Sequence, residues 1–261
     1  MKPSCWNLLL TGENPGEFNM RLDEALARLL LEGNGMPTLR LYRWRPWAIS
    51  LGRHQSPSSI DTACCRRDGI DVVRRPTGGR AILHAEEMTY SIVMPAHDSG
   101  IHQVYREISE ALVAGLRLFG VDASLQRSQP DFVELYRDPS SIPCFSSTAR
   151  YEVEWNGRKL VGSAQRRYTS ESAAVVLQHG SILCGPAHRR LADYLTLPDD
   201  QVQKNVRAAL HERTADLFQA TGDDVDLQRL EECLKRGFEC AWGISFNEIE
   251  LADLIRKDAY V

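Results

Sequence analysis

The sequence RRPTGGRAILHAEEMTYSIV (residues 74–93) predicts two strand-like runs joined by a glycine turn. Arg74 and Arg75 end one run, Gly78 and Gly79 turn the chain, and the next run resumes toward His84. Glycines let backbone N–H groups approach a ligand closely, and the arginines add positive charge, so the turn is a candidate binding loop. The alternative is an ordinary hairpin loop with solvated arginines.

Further strand patterns surround this stretch. Runs rich in β-branched and aromatic residues occur at 38–44, 47–52, 69–75, 80–84, 88–95, 150–157, 158–165 and 173–183. Asn156-Gly157 predicts a two-residue hairpin turn.

Two helical patterns accompany the strands. One begins with Asn14 as cap and Pro15 at the first helical position and runs to Gly33, and the other spans 101–119 with Gly120 as its stop. Residues 186–242 are helical in period, with a further strand and helix expected in 244–257. We therefore expect an α/β (α+β) fold with a mixed, mainly antiparallel sheet flanked by helices. It forms one domain over 1–261, completed by helices from about residue 200.

Composition narrows the class of protein. The chain has 261 residues, 43% hydrophobic and 25% charged, with 31 basic and 35 acidic residues and a net charge of −4, which gives no reason to expect nucleic-acid binding. Seven cysteines without CxxC spacing indicate neither a disulfide framework nor a zinc site, so no metal is expected. Neither a signal peptide nor a membrane-spanning run is evident, and the cytoplasm is the expected compartment.

Cys144 is the candidate nucleophile. It stands in the turn-rich stretch DPSSIPCFSS (138–147), and Lys159 follows on a neighbouring predicted strand. A free cysteine has a pKa of about 8.5, so a nearby ammonium would favour its reactive thiolate. Alternatively, Cys144 is an inert buried thiol and Lys159 an exposed charge at a sheet edge. Histidines 84 and 179 are read as lining a site, not as general bases.

Four motifs, in order, resemble the lipoate and biotin protein ligase/transferase superfamily, and within it the cysteine/lysine type of octanoyltransferase. They are WAISLGRHQSP (47–57), RRPTGGRAILHAEEMTYSIV (74–93), PCFSSTARYEVEWNGRKLVGSAQRR (143–167) and LQHGSIL (177–183). The resemblance covers roughly residues 5–200 and implies the catalytic domain typical of biotin and lipoate ligases.

The resemblance also implies an activity. An octanoyl group would pass from acyl carrier protein to a Cys144 thioester and then to a lysine of a lipoyl domain or glycine-cleavage H protein, without a cofactor. Lys159 would lower the pKa of Cys144. The expected substrate-binding residues are Arg75, Thr77, Gly78, Gly79, His84, Gly162, Ser163, Ala164, His179 and Gly180. Small side chains among them would leave room for an unbranched acyl chain.

Three alternatives remain open at this stage. An ATP-dependent lipoate-protein ligase would use the same lysine, although ligases typically carry three consecutive glycines where this chain has Gly78-Gly79-Arg80, and usually an accessory C-terminal domain. An amidotransferase moving octanoyl between lipoyl domains would also use a cysteine. A non-catalytic binding module would instead present an arginine patch to an acidic partner. That patch comprises Arg74, Arg75, Arg80, Arg166 and Arg167.

Overall fold

The computed structural model of the chain describes residues 4–96, 100–126 and 151–255. Its strands are β1 Cys5–Asn14, β2 Thr38–Trp44, β3 Ala48–Leu51, β4 Asp71–Arg74, β5 Ile82–His84, β6 Glu87–Pro95, β7 Ser124–Leu125, β8 Val153–Trp155, β9 Arg158–Thr169, β10 Ala174–Leu183 and β11 Ser245–Ile249. They form two sheets, an eight-stranded one in the order β11-β1-β2-β6-β10-β9-β8-β7 and a three-stranded one in the order β4-β3-β5.

Both sheets are mixed. In the large sheet β1 pairs parallel with β11 and β2, whereas every pairing from β2 through β6, β10, β9 and β8 to β7 is antiparallel. In the small sheet β3 pairs parallel with β4 and antiparallel with β5. The expected mixed, mainly antiparallel sheet is thus confirmed, but the strands we assigned to one sheet are divided between two.

Helices complete the layers. They are α1 Gly16–Leu31, α2 Thr62–Arg67, α3 Ile101–Phe119, α4 Asp200–Arg213, α5 Leu217–Thr221, α6 Leu227–Trp242 and α7 Leu251–Ile255, with 3-10 turns at Pro57–Ser59 and Pro186–Asp193. Apolar side chains of α3 and α6 pack on one face of the large sheet, and those of α1 pack on the other face. The small sheet packs with Pro186–Asp193 and α4. Within the described ranges, none of the helices is long and apolar enough to cross a membrane.

Local signals predicted most element ends well, with one clear error. Gly120 ends α3 in the left-handed conformation at φ 104°, and Asn156 and Gly157 form the expected hairpin turn with φ of 50° and 71°. Asn14 is not the cap of α1, because it still belongs to β1 and its side chain donates to the carbonyl of Thr11. Pro15 occupies the cap position without a side-chain hydrogen bond.

Helices α3 and α6 cross at two glycines. A Cβ at Gly237 would overlap the backbone nitrogen of Gly115, and a Cβ at Gly115 would lie 2.8 Å from Leu234 Cα. Both neighbours are helix backbone, which cannot yield as a flexible side chain does. The close crossing therefore depends on the absence of side chains at these two positions.

We expect Gly237→Ala to destabilise the protein by about 1–3 kcal/mol through overpacking, although alanine is the better helix former by about 1 kcal/mol. Urea unfolding would measure the change. Gly78→Ala is the control, because its Cβ would meet nothing within 4 Å. Equal unfolding midpoints for both variants would contradict the close-crossing argument.

Candidate active site

A narrow slot lies between the large sheet, the small sheet and α1. Its lining is Met20, Tyr42, Trp44, Ser50, Arg75, Ile82, His84, Thr89, Gly162, Ser163, Ala164, His179, Gly180 and Ser181. Most of the residues predicted to bind substrate therefore line this slot, and they come from β5, β9, β10 and the loop after β4. The exceptions are Thr77, Gly78 and Gly79, which are not among the lining residues.

Arg75 organises this glycine loop from inside the protein. It is buried, and its guanidinium donates to the carbonyls of Ser50, Gly78 and Arg80 at 2.9, 2.8 and 2.7 Å. Gly79 has a φ of 92°, and its carbonyl lies so close to Gly52 that a Cβ there would overlap it. The loop is therefore held by the buried Arg75 side chain and by the close approach of its backbone to Gly52.

The binding-module alternative predicted that five arginines face solvent as one patch, and this prediction is wrong in part. Arg75 is buried, and Arg74 donates to the carbonyls of Gly52, Arg53 and Gln55. Arg166 lies 3.6 Å from Glu24. Of these three arginines only Arg75 lies inside the fold, whereas Arg74 remains exposed and Arg166 is paired with Glu24, so less positive charge is left for an acidic partner than the sequence suggested.

One end of the slot is closed by a buried polar network. Asp23 on α1 accepts from Arg40 at 2.8 Å, from the Tyr42 hydroxyl at 2.9 Å and from His179 Nδ1 at 3.0 Å. A carboxylate only accepts hydrogen bonds, so Nδ1 of His179 carries the proton and Nε2 accepts from Thr77 Oγ1 at 2.7 Å. Thr77 thus reaches the slot through His179.

The electrostatics of this network follow from its burial. Burial alone would raise the pKa of Asp23, but Arg40 and His179 together hold that pKa below its ordinary value. Burial lowers the pKa of His179, against the opposing effect of Asp23. The two shifts agree on a charged Asp23 and a neutral His179 at neutral pH.

The other end of the slot holds a second chain of hydrogen bonds. The Ser50 hydroxyl lies 2.7 Å from His84 Nε2, and His84 Nδ1 lies 2.8 Å from Glu87 Oε1. The same Oε1 also accepts from the hydroxyls of Thr89 and Ser181. The indole of Trp44 stacks on the imidazole of His84 with ring centroids 3.9 Å apart. His84 is therefore fixed on both ring nitrogens and on one face.

The slot is almost closed in this conformation. Its volume is about 20 Å³, close to the space of one water molecule. An acyl chain requires that lining side chains move apart. Met20 is the unbranched, flexible side chain of the lining and is 7% exposed, so its rotation is the simplest way to widen the slot.

Lys159 is not the exposed edge charge of the alternative interpretation. It is 2% exposed, and its Nζ donates to Glu152 Oε1 at 2.6 Å. Its carbonyl accepts from the amide of Ala215, which ties β9 to the segment after α4. Lys159 does not line the slot, whose nearest β9 residue is Gly162. Cys144 lies outside the described residues, so its position relative to Lys159 stays a prediction.

Sequence reasoning missed several residues that build the site. Asp23, Ser50, Glu87 and Glu152 each hold a predicted site residue by a direct hydrogen bond. One signal was available, because Glu87 falls within the quoted motif three residues after His84. Asp23 gave none, since an aspartate in an amphipathic helix is usually solvated.

Comparison with known proteins agrees with this geometry. The family profile described as lipoyl protein ligase A/B catalytic domain matches residues 15–239. Octanoyltransferase LipM of Kyrpidia tusciae is 40% identical over 259 residues, covering 97% of this chain and 93% of that protein. Octanoyltransferase LipM of Symbiobacterium thermophilum is 37% identical over 257 residues, covering 97% and 92%. The crystal structure of lipoate-protein ligase A bound with ATP aligns with a TM-score of 0.72 at 27% identity, covering 96% of this chain and 92% of that one.

The buried His179 predicts a loss of stability in acid. Both His179 and Asp23 have lower pKa values in the folded protein than their ordinary values of 6.5 and 3.8, so the unfolded chain binds more protons. The free energy of unfolding should fall as pH drops below 6.5, with a limiting slope of about 1.4 kcal/mol per pH unit for one group.

Urea unfolding from about one unit above to about two units below the ordinary histidine pKa of 6.5 would measure this slope in the wild type and in His179→Gln. Burial also lowers the pKa of His188, to about 4, so His188 adds to the loss of stability in acid in both the wild type and the variant. The difference between the two curves therefore isolates His179. Parallel curves would contradict the assignment of a neutral His179.

Proposed function

The chain belongs to the lipoyl protein ligase A/B catalytic domain family, and we propose that it transfers an octanoyl group in lipoate biosynthesis through a thioester on Cys144. Octanoyltransferase is the activity named for the relatives that match nearly the whole chain. The proposed donor is octanoyl-acyl carrier protein, and the proposed acceptor is a lysine of a lipoyl domain or of glycine-cleavage H protein. The chain would act as one catalytic domain.

The slot is the observation that carries this proposal. Its walls include Gly162, Ala164 and Gly180, whose small or absent side chains would leave room along the sheet face for an unbranched chain once Met20 rotates away. The His179 end is closed by α1, whereas the His84 end adjoins a larger cavity. A linear acyl chain would lie with its methyl end toward His179, and each methylene buried would contribute about 0.8 kcal/mol.

The chemistry balances without an added energy source. The Cys144 sulfur attacks the donor carbonyl, a new C–S bond forms, the bond to the carrier's sulfur breaks, and the carrier leaves as a thiol with the proton of Cys144. The acceptor amine then forms a C–N bond as the bond to Cys144 breaks. Of the two protons that the lysine ammonium loses, one returns to the sulfur of Cys144 and one passes to water. One thioester replaces another in the first step, so ATP is not required.

The cytoplasm is the proposed compartment. The cysteines at positions 5, 64, 65, 184, 233 and 240 are all free thiols. Free thiols suit a reducing environment. Acyl carrier protein and lipoyl domains would be met there.

The direct test is intact-mass analysis after mixing the protein with octanoyl-acyl carrier protein in the absence of ATP. We expect one octanoyl adduct that hydroxylamine removes, because hydroxylamine cleaves thioesters. Cys144→Ser should show no adduct or a hydroxylamine-resistant ester.

A different result would assign a different reaction. If no adduct forms without ATP, but a lipoyl domain is modified once ATP and free lipoate are present, the protein is a ligase and Cys144 a bystander. If neither condition modifies protein, the chain acts as a binding module.

In this proposal Lys159 stabilises the Cys144 thiolate in addition to pairing with Glu152. Removing one partner of a buried ion pair costs about 3–5 kcal/mol, so Lys159→Met alone confuses a folding defect with a chemical one. The double variant Lys159→Met with Glu152→Gln leaves no buried unpaired charge. We expect the double variant to recover most of the unfolding free energy that the single variant loses. The rate of Cys144 acylation should stay at least about tenfold below that of the wild type, because a rise of about one unit in the thiol pKa lowers the thiolate fraction about tenfold.

Denaturant unfolding and the acylation rate would be measured on the wild type, the single variant and the double variant. Iodoacetamide labelling of Cys144 across pH adds an independent readout, because the loss of Lys159 should move labelling to higher pH. Recovery of acylation together with stability would limit Lys159 to a structural role.

A further inference from the structure

A second cavity, here called the acidic chamber, adjoins the slot. It has a volume of about 610 Å³ and shares Trp44, His84 and no other lining residue with the slot. The chamber contains Glu13, Glu86, Glu87, Asp224, Trp47 and Phe218 in its wall. The stacked Trp44 and His84 rings are thus the partition between the acyl slot and a wide, open space.

The charge of the chamber is negative. Four carboxylates face one guanidinium in the wall, that of Arg43, which lies 3.5 Å from Glu13. Arg45 also approaches Glu13, at 3.3 Å, so both arginines form their ion pairs with Glu13. Glu87 is 5% exposed, and its Oε2 finds no hydrogen-bond partner in the part of the chain that the structure describes. A buried carboxylate oxygen in this position favours a cation.

Glu86 is held in the wall at a conformational cost. Its φ is 51°, in the left-handed region that residues other than glycine and asparagine rarely adopt. Its Oε2 accepts from the amide of Ala187 at 3.0 Å, and a Cβ at Gly185 would overlap the same oxygen. Both the strained backbone of Glu86 and the bare Gly185 are needed to keep this carboxylate beside the chamber.

The rest of the chamber wall includes aromatic side chains that can cover the methylenes of a long side chain. Phe218 is 46% exposed and Trp47 is half-buried, and both line the chamber, with the Arg190 guanidinium 5.7 Å from the centroid of the Trp47 ring. An aromatic face attracts an ammonium, and an apolar rim covers methylenes. A long cationic side chain combines both features, whereas a nucleotide phosphate would meet four like charges.

We propose that the acidic chamber binds the side chain of the acceptor's lysine and guides its amine toward the Trp44–His84 partition, on whose other side the acyl slot lies. This inference rests on the proposed octanoyl transfer and assigns the second substrate to a place in the fold. Glu86 attracts the ammonium, Trp47 and Phe218 cover its methylenes, and the open chamber passes the released proton to water. Glu86 acts as a binding residue and takes no part in acylation of Cys144.

The test separates the two half-reactions. Octanoyl-enzyme is formed first, freed of donor, and then mixed with either Nα-acetyl-lysine methylamide or hydroxylamine, which is uncharged at neutral pH. In Glu86→Gln we expect acylation at the wild-type rate, transfer to the lysine compound about tenfold slower at subsaturating concentration, and unchanged cleavage by hydroxylamine. Glu212→Gln, which removes an exposed carboxylate of α4 outside the chamber, should leave all three rates unchanged.

Asp224→Asn at the exposed rim provides a second variant, with the same selective loss expected. Equal slowing of both nucleophiles, or slowing of neither, would overturn the chamber as the lysine site. Competitive inhibition of the lysine reaction by ATP would assign the chamber to a nucleotide and also overturn it. Failure of Cys144 to acquire octanoyl at all would instead refute the proposed function, before either nucleophile is added.

Discussion

The burial of the Asp23 carboxylate is the constraint on which this fold depends. Asp23 and Arg40 are both fully buried and 2.8 Å apart, so helix α1 can dock on the large sheet only where this ion pair forms. A buried charge without its partner would cost several kcal/mol, which makes the position of α1 unique. Tyr42 and His179 complete the shell of the carboxylate, and the closed end of the slot is therefore set by the same contact that seats the helix.

A second constraint acts where the two sheets meet. His84 on the small sheet is joined to Glu87 on the large sheet, and Ser50 of the small sheet completes the chain. Hydroxyls of Thr89 and Ser181 satisfy the same carboxylate oxygen from neighbouring strands. Since these groups already bond to one another through Oε1 of Glu87, the space between the sheets can accept an apolar chain without breaking these hydrogen bonds.

Features coded by neighbouring residues could be predicted, and features made by distant residues could not. Asn156-Gly157 and Gly120 specify their turns through backbone conformation alone, and the structure has both as expected. The parallel pairing of β1 with β11 joins opposite ends of the chain, so no local pattern announces it. Lys159 shows the same limit within the site: its residue type and motif indicated chemistry, but its burial against Glu152 arises only when β8 and β9 pair.

Charge distribution bears on the choice between a ligase and a transferase. Both need a slot for an acyl chain, and the similarity to an ATP-bound ligase shows how readily this fold is shared between them. They differ in the second substrate, which is an anionic nucleotide in the activation step of a ligase and a cationic lysine in acyl transfer. The cavity that adjoins the slot is lined by Glu13, Glu86, Glu87 and Asp224. Such a wall stabilises an ammonium and repels a triphosphate that no divalent cation shields, so the electrostatics of the described residues fit a cationic second substrate better than an anionic one.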